Sequence, residues 1–382
     1  MKSNAKPIIV LLVVIIAVGG SVAYCNWPSD SSEEQFSVTG HVTGLSAYNQ
    51  PKLDIEANGF FEAGLDLGAL FTIEVNGMEF RNAVLLSKYL GIFMFDIFVN
   101  VETDGFVSIG CVGKLITAEN GDEVTLTHTG TSDSYKTTPN YNKDSTNNRS
   151  DYADDAVFAN FSEVAGGDLK PGILYRSFSP LYAPAKQSRS TYVNELAEEA
   201  NIQFEIALSY NDASVAQAVA NLDGYCLTLC EEGKYVAPGM GYLYFQEKEK
   251  TKTVLTSILD NDGAYLVHCN VGRDRTGYMV LLLQALCKCT PEEMMACEAG
   301  AFCNLYHIEV GSEEYDTVVD RTYCRNMYLI ANYDRIPDIF EIDWENIDVS
   351  QADTYTAAYD YCTKYVGLTD DQVTGIIAKL CN

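Results

Sequence analysis

A cysteine and an arginine six positions apart are the residues of this chain best suited to chemistry. Cys269 and Arg275 lie within the segment AYLVHCNVGRDRTG, residues 264–277. The segment has the pattern of a short buried strand, a loop and the start of a helix. A loop of this kind directs several backbone N–H groups, together with the positive end of the helix dipole, at one spot. The sequence therefore predicts an anion-binding loop, and the same field should lower the pKa of the Cys269 thiol.

The remaining residues of this loop suit a phosphate group. Gly272 permits a tight loop conformation, and the planar guanidinium of Arg275 can bind two phosphate oxygens. Thr276 offers a hydroxyl close to the Cys269 sulfur, where it would ease the departure of the thiolate. The residues predicted to bind substrate, with His268 in a supporting position, are Asn270, Val271, Gly272, Arg273, Thr276 and Gly277.

The segment HCNVGRDRTG resembles the Cys-x5-Arg signature of the protein tyrosine phosphatase superfamily. It is most similar to the bacterial branch that reads His-Cys-x-x-Gly-Lys-Asp-Arg-[Thr/Ala]-Gly, whose members include tyrosine, dual-specificity and phosphoinositide phosphatases. NFSEVAGGDLKPGILYRS, residues 160–177, resembles that family's upstream motif, Asn-Phe-Arg-x-x-Gly-Gly followed by Leu-Tyr-Arg-Ser. Arg273 replaces the signature's Lys, and Ser162 replaces the Arg of the upstream motif. The resemblance covers roughly residues 151–382 and implies a cysteine phosphatase without a metal or cofactor.

The implied reaction is a two-step phosphoryl transfer. The Cys269 thiolate would attack phosphorus, and water would then hydrolyse the cysteinyl-phosphate. A general acid should protonate the leaving oxygen. The family usually carries an Asp near the end of the strand that reads FEIALSYND here, but Ser209 and Tyr210 stand at that place. Asp274, inside the loop, is therefore the first candidate for the acid, and Asp212 is the next.

Three further residues near these motifs have more than one interpretation. Arg176, in the LYRS segment, would either form a structural salt bridge beneath the loop or contact substrate. Cys226 and Cys230 are four positions apart and are expected to pack in the core or to form a disulfide rather than to react. Their spacing is not matched by a His or Cys pair that would indicate zinc.

The N-terminus has the pattern of an export signal. Lys2 and Lys6 precede an apolar run over residues 7–18, which is followed by small residues. Residues 1–24 are therefore predicted to be a signal peptide or a membrane anchor, and residues 25–35 a polar tether. Positive charge before the run and acidic residues after it indicate that the protein is secreted or anchored on the outer face of a bacterial cell membrane.

Two domains are predicted beyond the tether. Residues 36–130 indicate a small all-β domain, from β-branched and aromatic runs that read FSVTGHV, ALFTIEVNG, MFDIFVNVETDG, FVSIGCVG and EVTLTHTG. Residues 131–150 are polar and predict a linker. Residues 151–382 alternate strands and helices, which predicts an α/β phosphatase domain with a central, mainly parallel sheet flanked by helices. Thr290 and Thr369 are predicted to begin two of these helices.

Charge restricts the partners. The chain has 25 Lys and Arg against 53 Asp and Glu, for a net charge of −28, which repels nucleic acid and anionic lipid. The expected partner is a phosphorylated protein, or alternatively a phosphoinositide or inositol phosphate for which Arg273 would hold a second phosphate. Membrane contact is expected only through the N-terminal segment. A third hypothesis is a surface binding protein that works through its β domain and has a catalytically weak phosphatase domain.

Overall fold

The computed structural model describes residues 35–47, 49–87, 92–112, 116–132, 145–182 and 187–381. The chain divides into two compact units, Met1–Lys136 and Thr137–Asn382. The predicted signal or anchor, residues 1–24, lies outside the described residues, as do most of the tether and part of the linker. Across the described ranges, no helix has both the length and the apolar character needed to cross a membrane.

In the described part of the N-terminal unit, seven strands form a closed barrel with the order β1-β2-β6-β5-β4-β3-β7. The strands are β1 Ser37–Leu45, β2 Pro51–Glu56, β3 Ala69–Val75, β4 Met78–Leu86, β5 Ile97–Val101, β6 Phe106–Cys111 and β7 Glu123–Thr131, and helix α1 is Asn58–Glu62. The β4–β5 pair is parallel and the other pairs are antiparallel. Phe71, Ile73 and Val75 of β3 are buried in alternation with more exposed residues. The predicted small all-β domain is confirmed.

The described part of the C-terminal unit contains a five-stranded sheet of order β11-β10-β12-β9-β8. Its strands are β8 Ser162–Glu163, β9 Leu174–Ser177, β10 Ile202–Ala207, β11 Tyr235–Val236 and β12 Ala264–His268. The β8–β9 pair is antiparallel, whereas β9–β12, β12–β10 and β10–β11 are parallel. Together with the helices of this unit, the sheet confirms the predicted α/β class.

Helices in the described part of the C-terminal unit begin at residue 155 and continue to residue 380. They are α2 Asp155–Phe158, α3 Gln187–Glu199, α4 Asp212–Val219, α5 Tyr225–Glu231, α6 Lys248–Asp260, α7 Asp274–Leu286, α8 Pro291–Tyr306, α9 Glu313–Val319, α10 Arg325–Ala331, α11 Thr354–Asp360 and α12 Asp370–Leu380. Within the described residues of this unit, two π-helical turns lie at Asp320–Cys324 and Tyr361–Tyr365. Four 3₁₀ segments lie at Arg149–Asp151, Tyr244–Gln246, Tyr333–Glu341 and Trp344–Asn346.

Capping side chains begin two of these helices as the sequence predicts. Thr290 accepts a hydrogen bond from the backbone N–H of Glu293, whose side chain in turn accepts from Thr290 N. Thr369 and Gln372 form the same reciprocal pair before α12. Such capping boxes satisfy backbone N–H groups that a helix start leaves unpaired. Both predicted helix starts are confirmed.

The positions of β12 and α7 fix the loop between them. β12 pairs in parallel with β9 on one side and β10 on the other, with His268 opposite both Ser177 and Ala207. The carboxyl ends of these three strands therefore meet beside the residue that follows His268, the usual place for a ligand site in such a sheet. Every residue of α7 from Thr276 to Leu286 is buried, so the loop stands on a helix packed inside the unit.

Candidate active site

Cys269 is the first residue after β12 and is 1% exposed. Burial by itself would raise the pKa of this thiol. The charge of Arg275, together with the hydroxyl and N–H of Thr276, outweighs burial, so the pKa of Cys269 lies below its ordinary value, although Asp274 opposes the shift. The Thr276 hydroxyl is buried beside the sulfur and contributes to lowering the pKa of Cys269. The site therefore favours a thiolate.

Gly272 has a φ of +72°, in the left-handed region that L side chains rarely adopt. A Cβ at this position would lie 2.1 Å from the carbonyl oxygen of Ser177 on β9. A side chain here would therefore strain the backbone and push the loop away from the sheet. The tight conformation that the sequence predicts for Gly272 depends on this close approach to β9.

Three consecutive carbonyl groups of the loop are bonded to the surrounding protein. The donors to the carbonyls of Asn270, Val271 and Gly272 are the backbone N–H of Ser179 at 3.3 Å, Asn160 Nδ2 at 3.1 Å and Arg176 Nη2 at 2.9 Å. In a trans peptide, the N–H of the next residue points opposite to the carbonyl. The N–H groups of residues 271–273 therefore point away from these donors, into the loop, as an anion cradle requires.

Arg176 lies beneath the loop and is 1% exposed. Besides the Gly272 carbonyl, its guanidinium donates to the carbonyl oxygen of Cys297 on α8 at 2.8 Å. Of the two interpretations of Arg176, this geometry fits the structural one. Its hydrogen bonds go to two carbonyl oxygens and to the Cys297 sulfur rather than to the carboxylate of a salt bridge. The side chain ties β9, the loop and α8 together.

Glu298 of α8 is a buried carboxyl under the start of α7. Gly277 leaves room for it, since a Cβ there would lie 2.9 Å from Glu298 Oε1. Burial raises the pKa of Glu298 to about 7, although Arg176 and a hydrogen bond from Asn326 act in the opposite direction. Gly277, predicted to bind substrate, thus has a packing role in the close contact between α7 and α8.

His268 is fully buried at the end of β12. Its Nε2 lies 2.6 Å from Glu205 Oε1, and its Nδ1 lies 3.1 Å from the carbonyl oxygen of Cys269. The other carboxylate oxygen of Glu205 accepts from the Cys230 thiol at 3.4 Å. Glu205 is 0% exposed on β10, and the sequence analysis missed it. The sequence feature that could have indicated Glu205 is its position as a single carboxylate within the apolar run FEIAL. The supporting role predicted for His268 has a physical basis in these contacts.

Cys226 and Cys230 have free thiols and lie on α5, where both are buried. Burial raises the pKa of both thiols. They therefore pack in the core and do not form a disulfide with each other.

Arg273 and Asp274 are bonded to each other. Arg273 Nε lies 3.0 Å from Asp274 Oδ2, and Arg273 Nη1 donates to Tyr306 Oη at 2.8 Å. The same guanidinium lies 5.2 Å from the ring centroid of Phe302. Asp274 is the first residue of α7 rather than a loop residue.

Arg275 is held by a segment that the sequence analysis did not single out. Arg275 Nη1 donates to the carbonyl oxygen of Met240 at 2.9 Å, and its guanidinium lies 5.4 Å from the ring centroid of Tyr242. Tyr242 is 68% exposed. Residues 237–243, between β11 and the 3₁₀ turn at Tyr244–Gln246, therefore border the site next to the predicted phosphate clamp.

Asp212, the second candidate for the acid, is exposed on the first turn of α4. It accepts a hydrogen bond from Tyr235 Oη at 3.2 Å. Within the described residues, no hydrogen bond of Asp212 reaches the loop. Across the same residues, no group of three or more His, Cys, Asp or Glu side chains is placed to hold a metal ion.

Residues 214–299 match a family model described as the tyrosine phosphatase family, and the matched range includes both Cys269 and Arg275. A solved structure of an uncharacterized conserved protein from Thermotoga maritima is 18% identical over 27% of this chain and 39% of its own length, with a TM-score of 0.21. The core catalytic domain of a PP-IP phosphatase from S. cerevisiae, in complex with citrate, is 16% identical over 50% of this chain and 96% of its own length, with a TM-score of 0.27. Comparison with curated proteins gave no match.

Replacing Gly272 tests the loop conformation. Gly272→Ala should weaken binding of inorganic phosphate and lower the free energy of unfolding by on the order of 1–3 kcal/mol, because the new Cβ meets Ser177 in a strained backbone region. Calorimetric titration and chemical denaturation measure the two effects. Gly300→Ala on α8 is the matched control, since nothing lies within 4 Å of its added Cβ. Equal behaviour of the two variants would contradict this account of the loop.

Removing Arg275 tests the lowered pKa of Cys269. The thiolate predominates above that lowered value, so Arg275→Gln should move the pH midpoint of Cys269 alkylation by iodoacetamide upward, by about one unit or more. Site-resolved mass spectrometry of the alkylated protein follows the rate against pH. Arg149→Gln, which removes an ion pair with Asp155 on another part of the unit, should leave the midpoint in place. An unchanged midpoint in Arg275→Gln would contradict the electrostatic role of Arg275.

Proposed function

We propose that this chain, a phosphatase in which residues 214–299 match the tyrosine phosphatase family, hydrolyses phosphotyrosine and related phosphomonoesters through a cysteinyl-phosphate. The observation that carries this proposal is the thiol of Cys269. Its pKa is lowered inside a loop whose N–H groups point inward and beside the guanidinium of Arg275. A nucleophile and an oxyanion-binding site at one place are what a phosphoryl transfer requires.

In the proposed first step, the Cys269 thiolate attacks phosphorus and the leaving alcohol departs. The loop N–H groups and Arg275 stabilise the charge on the equatorial oxygens, which is the dominant contribution in such transfers. In the second step, water attacks the phosphocysteine and the thiolate departs. The Thr276 hydroxyl, which helps to lower the pKa of Cys269, stabilises that departing thiolate.

The surroundings of Arg275 support an aryl phosphate as the substrate. The exposed ring of Tyr242 lies beside the guanidinium and offers an aromatic face to a phosphotyrosine side chain. An inositol phosphate is the alternative, with Arg273 binding a second phosphate. Arg273, however, already contacts Asp274 and Tyr306, and would have to give up part of these contacts. A third alternative is a surface binding protein with a catalytically weak phosphatase domain. In that case Cys269 and Arg275 would contribute little to catalysis.

Export is part of the proposal. It rests on Lys2, Lys6 and the apolar run at residues 7–18, which would place the protein outside the cell or on the outer face of its membrane. A phosphorylated protein outside the cytoplasm would then be the partner. The net charge of −28 argues against nucleic acid.

Substitution of the nucleophile tests the proposed function. Cys269→Ser should abolish turnover of a phosphotyrosine peptide and still bind the peptide, because the loop N–H groups and Arg275 remain. Phosphate release measures turnover, and fluorescence anisotropy of a labelled peptide measures binding. Wild-type turnover of the peptide should exceed that of inositol hexakisphosphate.

Cys303→Ser serves as the matched control, since Cys303 is a half-buried thiol on α8 and should leave turnover unchanged. Residual activity of Cys269→Ser within tenfold of wild type would contradict the role of Cys269. Faster turnover of the inositol phosphate than of the peptide would favour the alternative substrate.

A further inference from the structure

The carbonyl of Met240 can hold Arg275 in one place only if this carbonyl is itself fixed. Residues 237–241 form no strand or helix, so regular secondary structure does not hold their backbone groups. Backbone groups of such a half-buried loop need partners elsewhere in the protein. The partners of residues 239–241 come from two sides of the unit, and on one side they are charged side chains.

On the first side, the loop is bonded to the residues that follow β10. The backbone N–H of Gly239 donates to the Tyr210 carbonyl at 2.6 Å, and the N–H of Met240 donates to the Leu208 carbonyl at 2.7 Å. The N–H of Leu208 in turn donates at 2.9 Å to the carbonyl of His268, the last residue of β12. This side therefore ties the loop to the strand that leads to the nucleophile.

On the second side, the loop is bonded to Glu247 and Lys250 at the start of α6. Glu247 Oε2 accepts from the backbone N–H of Gly241 at 2.8 Å. Lys250 Nζ donates to the carbonyl of Gly239 at 2.6 Å and to Glu247 Oε1 at 2.7 Å. The two side chains thus form an ion pair that is bonded to the loop on both sides of Met240.

The hydrogen bond of Glu247 acts on the same peptide group as the hydrogen bond of Arg275. The N–H of Gly241 and the C=O of Met240 belong to one planar trans peptide, in which they point in opposite directions. The position of the Glu247 carboxylate therefore sets the direction of the carbonyl that holds Arg275. A carboxylate on the N–H also polarises the peptide group, which strengthens the hydrogen bond at its oxygen.

The carboxylate of Glu247 serves the loop rather than its own helix. Glu247 occupies the N-cap position of α6, where the oxygen of a capping side chain accepts from an N–H of the first turn. Its side chain makes no such bond to α6, all of which lies within the described residues. Both carboxylate oxygens are instead bonded to Gly241 and Lys250. Helix capping therefore does not explain the orientation of this side chain.

The backbone from which Glu247 extends is anchored in the core. The 3₁₀ turn at Tyr244–Gln246 directly precedes Glu247, and both Tyr244 and Phe245 are buried. Tyr365 Oη donates to the Phe245 carbonyl at 3.0 Å. Because Glu247 is held relative to the core, its carboxylate can fix the position of the loop.

We propose that Glu247 and Lys250 are positioning residues for Arg275; this inference rests on the proposed function. They act through the peptide group between Met240 and Gly241 rather than on the substrate. With Nη1 of Arg275 held by the Met240 carbonyl, the rest of the planar guanidinium is available to bind two phosphate oxygens. An arginine that is fixed before the substrate arrives loses less conformational entropy on binding.

Removal of the carboxylate tests this assignment. Glu247→Ala should weaken binding of inorganic phosphate by roughly tenfold, since a guanidinium that is no longer positioned loses about the contribution of one hydrogen bond to a charged group. It should lower kcat/KM for a phosphotyrosine peptide by at least the same factor. Glu249→Ala is the matched control, because it removes the same charge from an exposed position in the first turn of α6 and should leave both quantities unchanged. Calorimetric titration and phosphate release measure them.

A double-mutant comparison distinguishes positioning from a general effect on folding. The guanidinium is absent in the Arg275→Gln background, so Glu247→Ala should change phosphate binding there by less than about twofold. A merely structural role would weaken binding by the same factor in both backgrounds. Glu247→Gln keeps an oxygen that can accept from the N–H of Gly241, and should therefore bind phosphate within about threefold of wild type.

Lys250→Met gives a second route if Glu247→Ala does not fold. It removes the donor to the Gly239 carbonyl and keeps an apolar stem of similar length. It should therefore weaken phosphate binding by a smaller factor than Glu247→Ala. This effect should also be absent in the Arg275→Gln background.

The outcomes separate the two proposals. Equal phosphate binding by Glu247→Ala and Glu249→Ala, equal losses in the two backgrounds, or no recovery in Glu247→Gln would overturn the positioning role while the proposed function stands. Absence of Cys269-dependent turnover of the peptide by the wild-type protein would overturn the proposed function. The coupling between Glu247 and Arg275 in phosphate binding would still be measurable in that case.

Discussion

The constraint on which this unit depends is the placement of a buried thiol of lowered pKa in a strongly acidic chain. With 53 Asp and Glu against 25 Lys and Arg, the overall potential repels both a thiolate and a phosphate. The positive end of α7, the inward N–H groups of the loop and Arg275 reverse this potential over a short range only. The shape of the loop therefore decides whether the site attracts an anion at all.

The rest of the C-terminal unit supports the shape of the loop through hydrogen bonds and close packing. Three consecutive loop carbonyls accept hydrogen bonds from other parts of the unit. The donors are Arg176 on β9, Ser179 just after β9 and Asn160 just before β8. Gly272 allows the loop to touch β9 directly, and Gly277 allows α8 to approach α7. Since β12 lies between two parallel neighbours and α7 is buried, neither side of the loop is free to move independently of the core.

The candidate site could be proposed from the sequence because its residues are consecutive, from His268 to Gly277. The helix starts at Thr290 and Thr369 could be predicted because capping is local. Strands β2 and β4 were not predicted. β2 reads PKLDIE, where charged residues alternate with buried ones, and β4 contains Asn82 at a φ of +58°. Both are defined by their pairing in the barrel rather than by composition.

The other contacts of the candidate site join residues that are far apart in the chain. They could therefore not be predicted from the sequence. Glu205 meets His268 across 63 positions, and the Met240 carbonyl meets Arg275 across 35. Tyr242 lies in a Gly- and Pro-containing stretch that has no periodicity to indicate an active-site border. The domain boundaries at residues 130 and 150 and the export signal stay predictions.

Arg176 has a consequence for how activity is lost. Its single guanidinium joins Gly272, 96 positions away, to Cys297, 121 positions away. These contacts bring distant parts of the chain together, so they form only after the entropy of closing long loops has been overcome. Partial opening that separates α8 from β9 would remove the support of the loop while β12 and α7 stay folded, and such openings need less free energy than complete unfolding. The proposed anion site would then be lost well before the secondary structure of the unit melts.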